Sequence, residues 1–264
     1  MSGFSSAWLA MREPYDMAAR SRTVLESVTR ALSPHYSLNI VDLGSGTGST
    51  YRALSPLLSG RQNWRLIDND PELLAGIERT ETITPSMHDL VGGLDTVFEG
   101  VADLVTTSAL LDLTSEGWIN NLVHILSGRN LPFYAALSYD GRAQFHPSDP
   151  LDEKICAGFN RHQRTDKGFG TALGPDAAAF AIRQLSTAGY RVEQGQSDWT
   201  FATQDRDIQL EIVSGWAGAV REIGDLTPGE IEGWLNYRSA VINAGRSLIS
   251  VGHIDFFAIP IGSR

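Results

Sequence analysis

Hydrophobic and polar positions along the chain follow two patterns. Short apolar runs bounded by glycine or polar residues are typical of buried strands, whereas apolar residues at three- and four-residue spacing are typical of helices. Strands are predicted over residues 38–43, 64–68, 83–87, 102–107, 133–138, 191–201 and 248–260. Helices are predicted over residues 5–32 with a turn at 13–14, after the first, second and fourth strands, and over residues 175–188, 206–222 and 228–244.

Strands that alternate with helices predict an α/β fold in which a mostly parallel, seven-stranded sheet carries helices on both faces. We expect one domain over residues 1–264. Residues 1–37 would form an N-terminal helical cap and residues 38–138 a cofactor-binding half. Residues 139–264 would supply a lid, the elements on the substrate side and the last strands.

The composition narrows the class of protein. The chain has 264 residues, of which 42% are hydrophobic, so it is long enough to build a sizeable core. Its net charge of −10 disfavours the phosphate backbone of a nucleic acid as a partner. A single cysteine, Cys156, excludes an internal disulfide. No apolar stretch is long enough for a membrane span or has the form of a secretory signal, so we expect a soluble, cytoplasmic protein without a membrane partner.

The strongest chemical signal is a glycine-rich turn between the first predicted strand and the helix that follows it. The turn contains Asp42, Gly44, Ser45, Gly46 and Gly48. Glycine is favoured where the backbone takes positive φ values and where a ligand must lie directly against the main chain. The free N–H groups at the start of the following helix add to this binding capacity.

Two classes of cofactor use such a turn. The dinucleotide fingerprint requires a third glycine or alanine where this chain has Ser49, so the match to a nicotinamide-binding protein is imperfect. The carboxylate of Asp42 suits a cationic cofactor better than a pyrophosphate. The charge argument therefore favours a cationic cofactor, and an NAD(P)-dependent Rossmann oxidoreductase stays open as the alternative.

Residues 38–138 resemble the cofactor-binding half of the class I, Rossmann-like S-adenosylmethionine-dependent methyltransferases. The resemblance begins with the glycine turn and implies that Asp68, with Asn69 beside it, meets the ribose hydroxyls at the end of the second strand. It implies that Asp89 and Leu90 contact the adenine. Ser108, just past the fourth strand, would lie beneath the sulfonium and the methyl acceptor.

The chain departs from one subgroup of that family. Enzymes that methylate exocyclic amines of bases or glutamine amides carry an Asn/Asp-Pro-Pro-aromatic run where this chain has Thr-Thr-Ser-Ala at residues 106–109. The departure favours a small-molecule acceptor, methylated at oxygen or nitrogen. A macromolecular (RNA or protein) methyltransferase and a non-catalytic binder of the cofactor are the further alternatives.

Candidate catalytic residues lie in segments that follow the fourth and fifth strands, because ligands of an open α/β sheet bind beyond the carboxyl ends of its strands. Asp112 is either a helix cap or an acceptor contact. Residues 139–174 are polar and glycine-rich, and as a lid they would present His146 or His162 as a general base. A metal site formed by His146, Asp149 and His162 fits no established spacing, and no metal is expected.

Three further groups of residues are of interest. The N-terminal segment carries polar residues, one arginine of which would pair with the methionine carboxylate of the cofactor. Aromatic residues in the late helices form either a substrate cover or core. Two residues of the last strand share one face and are predicted to be a structural pair at the sheet edge. The N-terminal residues are Arg12, Tyr15, Asp16 and Arg20. The aromatic residues are Trp216, Trp234 and Tyr237, and the two residues of the last strand are His253 and Asp255.

Overall fold

The computed structural model describes residues 4–262, so the first three residues of the predicted cap and the last two of the predicted domain lie outside the described residues. Ten α-helices are described: α1 (Ser6–Ala19), α2 (Arg22–Leu32), α3 (Ser49–Leu54), α4 (Pro71–Ala75), α5 (Leu94–Val97), α6 (Glu116–Arg129), α7 (Asp152–Gln163), α8 (Ala177–Thr187), α9 (Arg206–Ile223) and α10 (Pro228–Asn243). The strands are β1 (Ser37–Leu43), β2 (Arg61–Asp68), β3 (Ile83–Met87), β4 (Leu104–Ser108), β5 (Phe133–His146), β6 (Tyr190–Gln196), β7 (Trp199–Phe201) and β8 (Leu248–Pro260).

The strands form one mixed sheet in the order β3-β2-β1-β4-β5-β8-β6, and β7 adds to β8 beside β6. The first five strands are parallel to one another, whereas β8 runs antiparallel to β5, β6 and β7. The predicted α/β fold with a mostly parallel sheet is thereby confirmed. The carboxyl ends of β1, β2, β3 and β4 meet at one edge, level with Ala136 of β5, and ligands of such sheets bind there.

Helices cover both faces of the sheet, which explains why the central strands β1 and β4 and the first half of β5 are buried on both faces. Successive residues of β1 alternate between two cores: Leu38 and Ile40 pack on the side of α2 and α3, and Val41 and Leu43 pack on the side of α6 and α8. Trp64 of β2 and Phe133 of β5 extend the first and the second core, respectively. Burial of these side chains contributes about 25 cal/mol per Å² of apolar surface.

Two boundaries differ from the sequence-based prediction. The predicted sixth strand is divided into β6 and β7, because Ser197 and Asp198 turn their polar groups to the backbone of His253: Ser197 N donates to His253 O, and His253 N donates to Asp198 Oδ1. The predicted turn at residues 13–14 is wrong. Helix α1 continues through Pro14, spanned by the Arg12–Asp16 ion pair, and the chain bends at Arg20 instead.

The segment predicted as a lid, residues 139–174, is largely packed structure. Strand β5 continues to His146 by pairing with the first half of β8, and α7 follows. Together with β7, α9 and α10 these elements enclose a third core. Trp216 and Trp234 are 5% and 1% exposed within it, so they belong to the core and not to a substrate cover, whereas Tyr237 is partly exposed. None of the helices within residues 4–262 is long and apolar enough to cross a membrane.

A buried ion pair joins two helices of this third core. Arg238 of α10 is fully buried, pairs with Asp152 at the start of α7 and donates from Nη1 to Pro147 O at 2.6 Å. Trp234 Nε1 donates to the same Asp152 carboxylate at 2.8 Å. The pair therefore fixes α10 against α7 and the loop before it.

Replacing Asp152 with alanine is expected to lower the free energy of unfolding by about 3–5 kcal/mol, because it leaves a buried guanidinium without its counter-charge. The double variant Asp152→Leu/Arg238→Met should recover most of this loss. Urea unfolding measures both. Asp207→Ala, which removes an exposed partner of Arg206, is the control and should change stability by less than about 0.5 kcal/mol. A loss below about 1 kcal/mol in Asp152→Ala would contradict the assignment.

Candidate functional site

The glycine turn after β1 has the backbone conformation that its sequence predicts. Gly44, Gly46 and Gly48 have φ values of +64°, +53° and +86°, a region that residues with a Cβ rarely enter. Ser45 N donates to Ile67 O at 2.8 Å, which holds the turn against the end of β2. Gly48 then begins α3, so the turn presents bare backbone at the carboxyl edge of the sheet.

Asp68 lies where the resemblance places the ribose-binding acid. It ends β2, and its carboxylate contacts the glycine turn directly: Oδ2 accepts from Gly46 N at 2.7 Å and Oδ1 from Asp70 N at 3.0 Å. Each carboxylate oxygen has a second lone pair, so Asp68 retains acceptor capacity. Asn69 follows it and is exposed. Asp68 and the turn thus form one continuous cradle.

The residues after β3 and β4 lie at the same edge. Asp89 is exposed, and its Oδ1 accepts from Val91 N at 2.9 Å. Leu90 is buried, and its carbonyl accepts from Trp118 Nε1 at 2.7 Å. Ser108 ends β4 and is half-buried. These three positions border the cradle on the two strands next to β2 and β1.

Asp42 of β1 is fully buried below the turn. Its Oδ1 accepts from Thr106 Oγ1 at 2.7 Å, whereas Oδ2 has no hydrogen-bond partner among the described residues. Burial raises the pKa of Asp42 to about 7, an effect that the Thr106 hydrogen bond and the nearby Arg20 oppose only in part. A positive charge placed nearby would favour the ionised form of this buried acid and lower its pKa.

Helix α1 covers the glycine turn. Leu9 Cδ1 lies 3.2 Å from the position that a Cβ on Gly46 would take. One turn further along, Glu13 pairs with Arg52 of α3 at 2.5 Å, and Arg52 Nη1 donates to Thr47 O at 2.6 Å. Helix α1 therefore forms a roof over the cradle, and the Glu13–Arg52 pair connects this helix to α3 and to the glycine turn.

Helix α1 and the bend that follows it turn charged residues inward. Arg12, Asp16 and Arg20 are spaced four residues apart and are 7%, 4% and 6% exposed. Arg20 donates from Nη1 to Tyr134 OH at 3.1 Å and from Nη2 to Ser108 Oγ at 3.5 Å. Apolar residues normally occupy the inward face of a helix, so this buried polar stripe is a candidate functional surface. Tyr15 points elsewhere and donates to Asp205 Oδ1 at 2.9 Å.

Asp112 lies beside the ends of β4 and β5. It is 6% exposed, and its Oδ2 accepts a long hydrogen bond of 3.4 Å from Gln163 Nε2. Oδ1 has no hydrogen-bond partner in the described structure. Burial raises the pKa of Asp112 to about 6, and Arg12 and the backbone N–H of Tyr139 counteract this rise. A carboxylate with such a pKa is suited to accept a proton near neutral pH.

The two candidate histidines are not brought to this edge. His146 is exposed at the far end of β5, eight residues along β8 from the level of Ala135, or roughly 26 Å at strand geometry. A cavity of about 740 Å³ beside it is bordered by α7 and β8 and contains no residue of the glycine turn. The His162 ring contacts Glu222 at 3.1 Å and Lys167 at 3.2 Å.

The histidines also form no metal site. No group of three or more histidine, cysteine or acidic side chains within residues 4–262 is arranged to hold a metal ion, so the alternative site at His146, Asp149 and His162 is not formed.

The predicted pairing of His253 with Asp255 at a sheet edge is wrong. Strand β8 lies inside the sheet, and the two side chains have separate partners. Asp255 accepts from Leu137 N at 2.8 Å and from Ser21 N at 3.0 Å, and it thereby holds Leu137 at φ +54°. His253 packs on Trp199, with ring centroids 4.7 Å apart.

Five of the nine buried side-chain polar atoms that have no hydrogen-bond partner among the described residues lie on or next to the glycine turn, β4 and β5. Buried polar atoms in proteins almost always have hydrogen-bond partners, so a cluster without them is suited to a polar ligand. The side-chain atoms concerned are Arg20 Nε, Asp42 Oδ2, Ser45 Oγ, Asp112 Oδ1 and Ser138 Oγ. Ser138 and Gln163 could not be predicted from the sequence, since only the pairing of β5 and the position of α7 bring them here.

Comparisons with known proteins agree with this architecture. No family model and no curated protein sequence matches the chain. Among solved structures, a cyclopropane-fatty-acyl-phospholipid synthase-like protein from Lactobacillus casei is 13% identical with a TM-score of 0.53, over 94% of this chain and 99% of that one. The YcgJ protein from Bacillus subtilis is 12% identical with a TM-score of 0.50, over 92% and 100%. A provisionally assigned methyltransferase from Bacillus halodurans is 12% identical with a TM-score of 0.50, over 90% and 100%.

The strand order, the antiparallel β8 and these matches together define the fold. It is the Rossmann-like fold of the class I methyltransferases, as the resemblance in residues 38–138 implied. The likeness extends over nearly the whole chain and therefore includes the elements beyond β5.

Asp42→Asn is expected to stabilise the protein progressively as the pH rises. The pKa of Asp42 is raised from 3.8 to about 7 in the folded state, so the wild type keeps its full stability only below about pH 4 and loses it as the pH passes 7. Asparagine can still accept from Thr106 and carries no charge. Urea unfolding from about pH 4 to 8.5 should show an advantage of the variant that grows up to pH 7–8 and then stays constant.

The control is Asp95→Asn, at an exposed position of α5, which should show no comparable growth with pH. A constant difference between Asp42→Asn and the wild type over the whole pH range would show that Asp42 is not a destabilised buried acid.

Proposed function

We propose that this protein transfers a methyl group from S-adenosylmethionine to a small-molecule acceptor, at oxygen or nitrogen. The observation that carries the proposal is the cradle in which the Asp68 carboxylate contacts the glycine turn below α1. Unpaired buried acceptors of Asp42 and Asp112 lie on either side of β4. A cation that carries ribose hydroxyls satisfies both the cradle and these acids, and it does so without a phosphate.

The residues of the cradle have distinct roles in this proposal. Asp68, with Asn69 beside it, would bind the ribose hydroxyls. Asp89 would accept from the adenine amine, and Leu90 would pack against the ring. The turn itself would hold the methionine portion through backbone N–H groups, with Ser108 beneath the sulfonium. The turn residues concerned are Asp42, Gly44, Ser45, Gly46 and Gly48.

A small acceptor is favoured by the way in which the site is covered. Leu9 lies against the glycine turn, and the Glu13–Arg52 ion pair closes the same side. This cover limits access to the cradle from the side of α1, and the net charge of −10 disfavours a polyanion. The cytoplasmic location stays a prediction.

When bound, the cofactor would supply a methyl carbon that is activated by its sulfonium. Methylation of a hydroxyl or amine would form a carbon–oxygen or carbon–nitrogen bond and break the carbon–sulfur bond, and the acceptor would lose one proton. Asp112 is the group that we assign to receive this proton, at Oδ1. The acid is buried just past β4, next to Tyr139 of β5, where an acceptor would face the cofactor.

Asp68→Ala is expected to weaken binding of S-adenosylhomocysteine by at least about 1 kcal/mol, because the ribose loses a charged hydrogen-bond partner. Calorimetric titration with S-adenosylmethionine, S-adenosylhomocysteine and NADH in parallel provides the measurement. Asp95→Ala, an exposed acid on α5, is the control. Binding of NADH alone would establish the oxidoreductase alternative, and unchanged affinity in Asp68→Ala would contradict the placement of the ribose.

Asp112→Asn is expected to lower kcat about 10²- to 10⁴-fold for any hydroxyl or amine acceptor that the wild type methylates, because the proton then has no base to receive it. Its affinity for S-adenosylhomocysteine should stay within about twofold of the wild type, since Asp112 lies outside the cradle. His146→Gln and His162→Gln are matched controls and should retain full turnover. Loss of turnover in either histidine variant, but not in Asp112→Asn, would move the base to that histidine.

A further inference from the structure

Arg12 occupies an unusual position on the inner side of α1. Its side chain is only 8% exposed, and Nε donates to Asp16 Oδ2 at 2.9 Å. The guanidinium carbon lies 4.8 Å from the ring centre of Trp199, whose Nε1 also donates to Asp16, at 2.9 Å. Stacking and the ion pair together fix the plane of the guanidinium.

The outer half of this guanidinium is free. Nη1 and Nη2 of Arg12 make no hydrogen bond with any group in residues 4–262, and neither atom is fully sealed from solvent. Arg20 differs, since its Nη atoms are directed to Tyr134 and Ser108. A rigid fork with two free NH₂ groups matches the geometry of a carboxylate, which it binds through two parallel hydrogen bonds.

The position of Arg12 indicates which ligand the fork faces. The charged and titratable groups that interact with it are Asp16, Asp112 and His253, which belong to α1, to the segment after β4 and to β8. The ribose acid Asp68 lies on β2, on the opposite side of β1 and β4. Arg12 therefore lies on the side of β4 that faces β5 and β8, where the methyl acceptor would bind.

The neighbouring imidazole is compatible with a bound anion. His253 Nδ1 lies 3.0 Å from Val251 O, an acceptor, so this nitrogen carries the proton and donates. Burial, with a further contribution from Arg12, lowers the pKa of His253 to about 3 and keeps the ring neutral. The neutral ring thus adds no positive charge of its own, and the guanidinium of Arg12 is the cation beside it.

We propose that the free fork of Arg12 binds a carboxylate of the methyl acceptor, so that the substrate is a small carboxylic acid whose reacting hydroxyl or amine faces Asp112. This inference rests on the proposed function and adds the substrate class to it. The roof over the cradle then also selects the acceptor, because the same helix carries Leu9 and Arg12.

The test uses simple carboxylates as probes: acetate and benzoate, compared with acetamide and benzamide. NMR titration of the full-length protein, with and without saturating S-adenosylhomocysteine, measures their affinities. The wild type should bind at least one acid about tenfold or more tightly than its amide, in line with the strength of charged hydrogen bonds. Arg12→Met should abolish this preference and Arg12→Lys should retain only part of it, because lysine keeps the charge without the fork.

Arg22→Met is the matched control, since Arg22 also pairs with an acid four residues along a helix, Glu26, but is exposed. It should behave like the wild type. Equal binding of acids and amides by the wild type, or an unchanged preference in Arg12→Met, would overturn the proposal.

The main alternative is that Arg12 binds the carboxylate of the cofactor. S-adenosylhomocysteine, which has this carboxylate, and 5′-methylthioadenosine, which lacks it, distinguish the two possibilities. If Arg12→Met binds S-adenosylhomocysteine about tenfold more weakly but binds 5′-methylthioadenosine normally, the fork holds the carboxylate of the cofactor and the proposal is wrong. If the wild type binds neither compound, the proposed function fails. The titration without cofactor then still decides whether Arg12 binds carboxylates.

Discussion

The buried guanidinium of Arg20 determines how the N-terminal segment meets the sheet. A charge removed from water costs several kcal/mol unless its partners are well placed, and here they come from β4 and β5, through Ser108 and Tyr134. Tyr134 in turn donates to Asp255 of β8 at 3.3 Å, and Asp255 also accepts from Ser21 N at the start of α2. Helices α1 and α2 can therefore satisfy this network in only one position relative to the strands. That position places α1 over the glycine turn.

The same network shapes the acceptor side of the edge. Asp255 holds the backbone N–H of Leu137, and Leu137 takes a positive φ that a bulky residue adopts only under constraint. Ala109, at the end of the neighbouring β4, also has a positive φ, and its N–H donates to Ala136 O. Two strained residues on adjacent strands thus set the course of the chain just before Asp112 and Ser138. The strain is located where the acceptor would bind, and the buried carboxylate of Asp255 maintains it.

Local chemistry explains what the sequence analysis predicted and what it missed. The glycine turn and Asp68 could be predicted from nearby residues. Positive φ values favour glycine, and the end of a short apolar run indicates the end of a buried strand. The path of residues 139–146 was not, since their glycine and aspartate content is typical of a loop and they are ordered by β8, about 105 residues later. The free fork of Arg12 depends on Trp199, which is even more remote in sequence. His146 and His162 were candidates because they follow the fifth predicted strand, but β5 continues to His146, and the His162 ring contacts Glu222 and Lys167 instead.

The buried acids connect stability with the proposed chemistry. Asp42 and Asp112 have raised pKa values because the folded chain removes them from water without full compensation, and this arrangement destabilises the protein at neutral pH. A cationic cofactor would favour their ionised forms, so part of its binding energy would come from relieving this cost. It would also lower the pKa of Asp112 and thereby keep the base deprotonated when the acceptor arrives. A loss of stability of this kind is typical of functional sites, and Asp42 and Asp112 place it at the ends of β1 and β4.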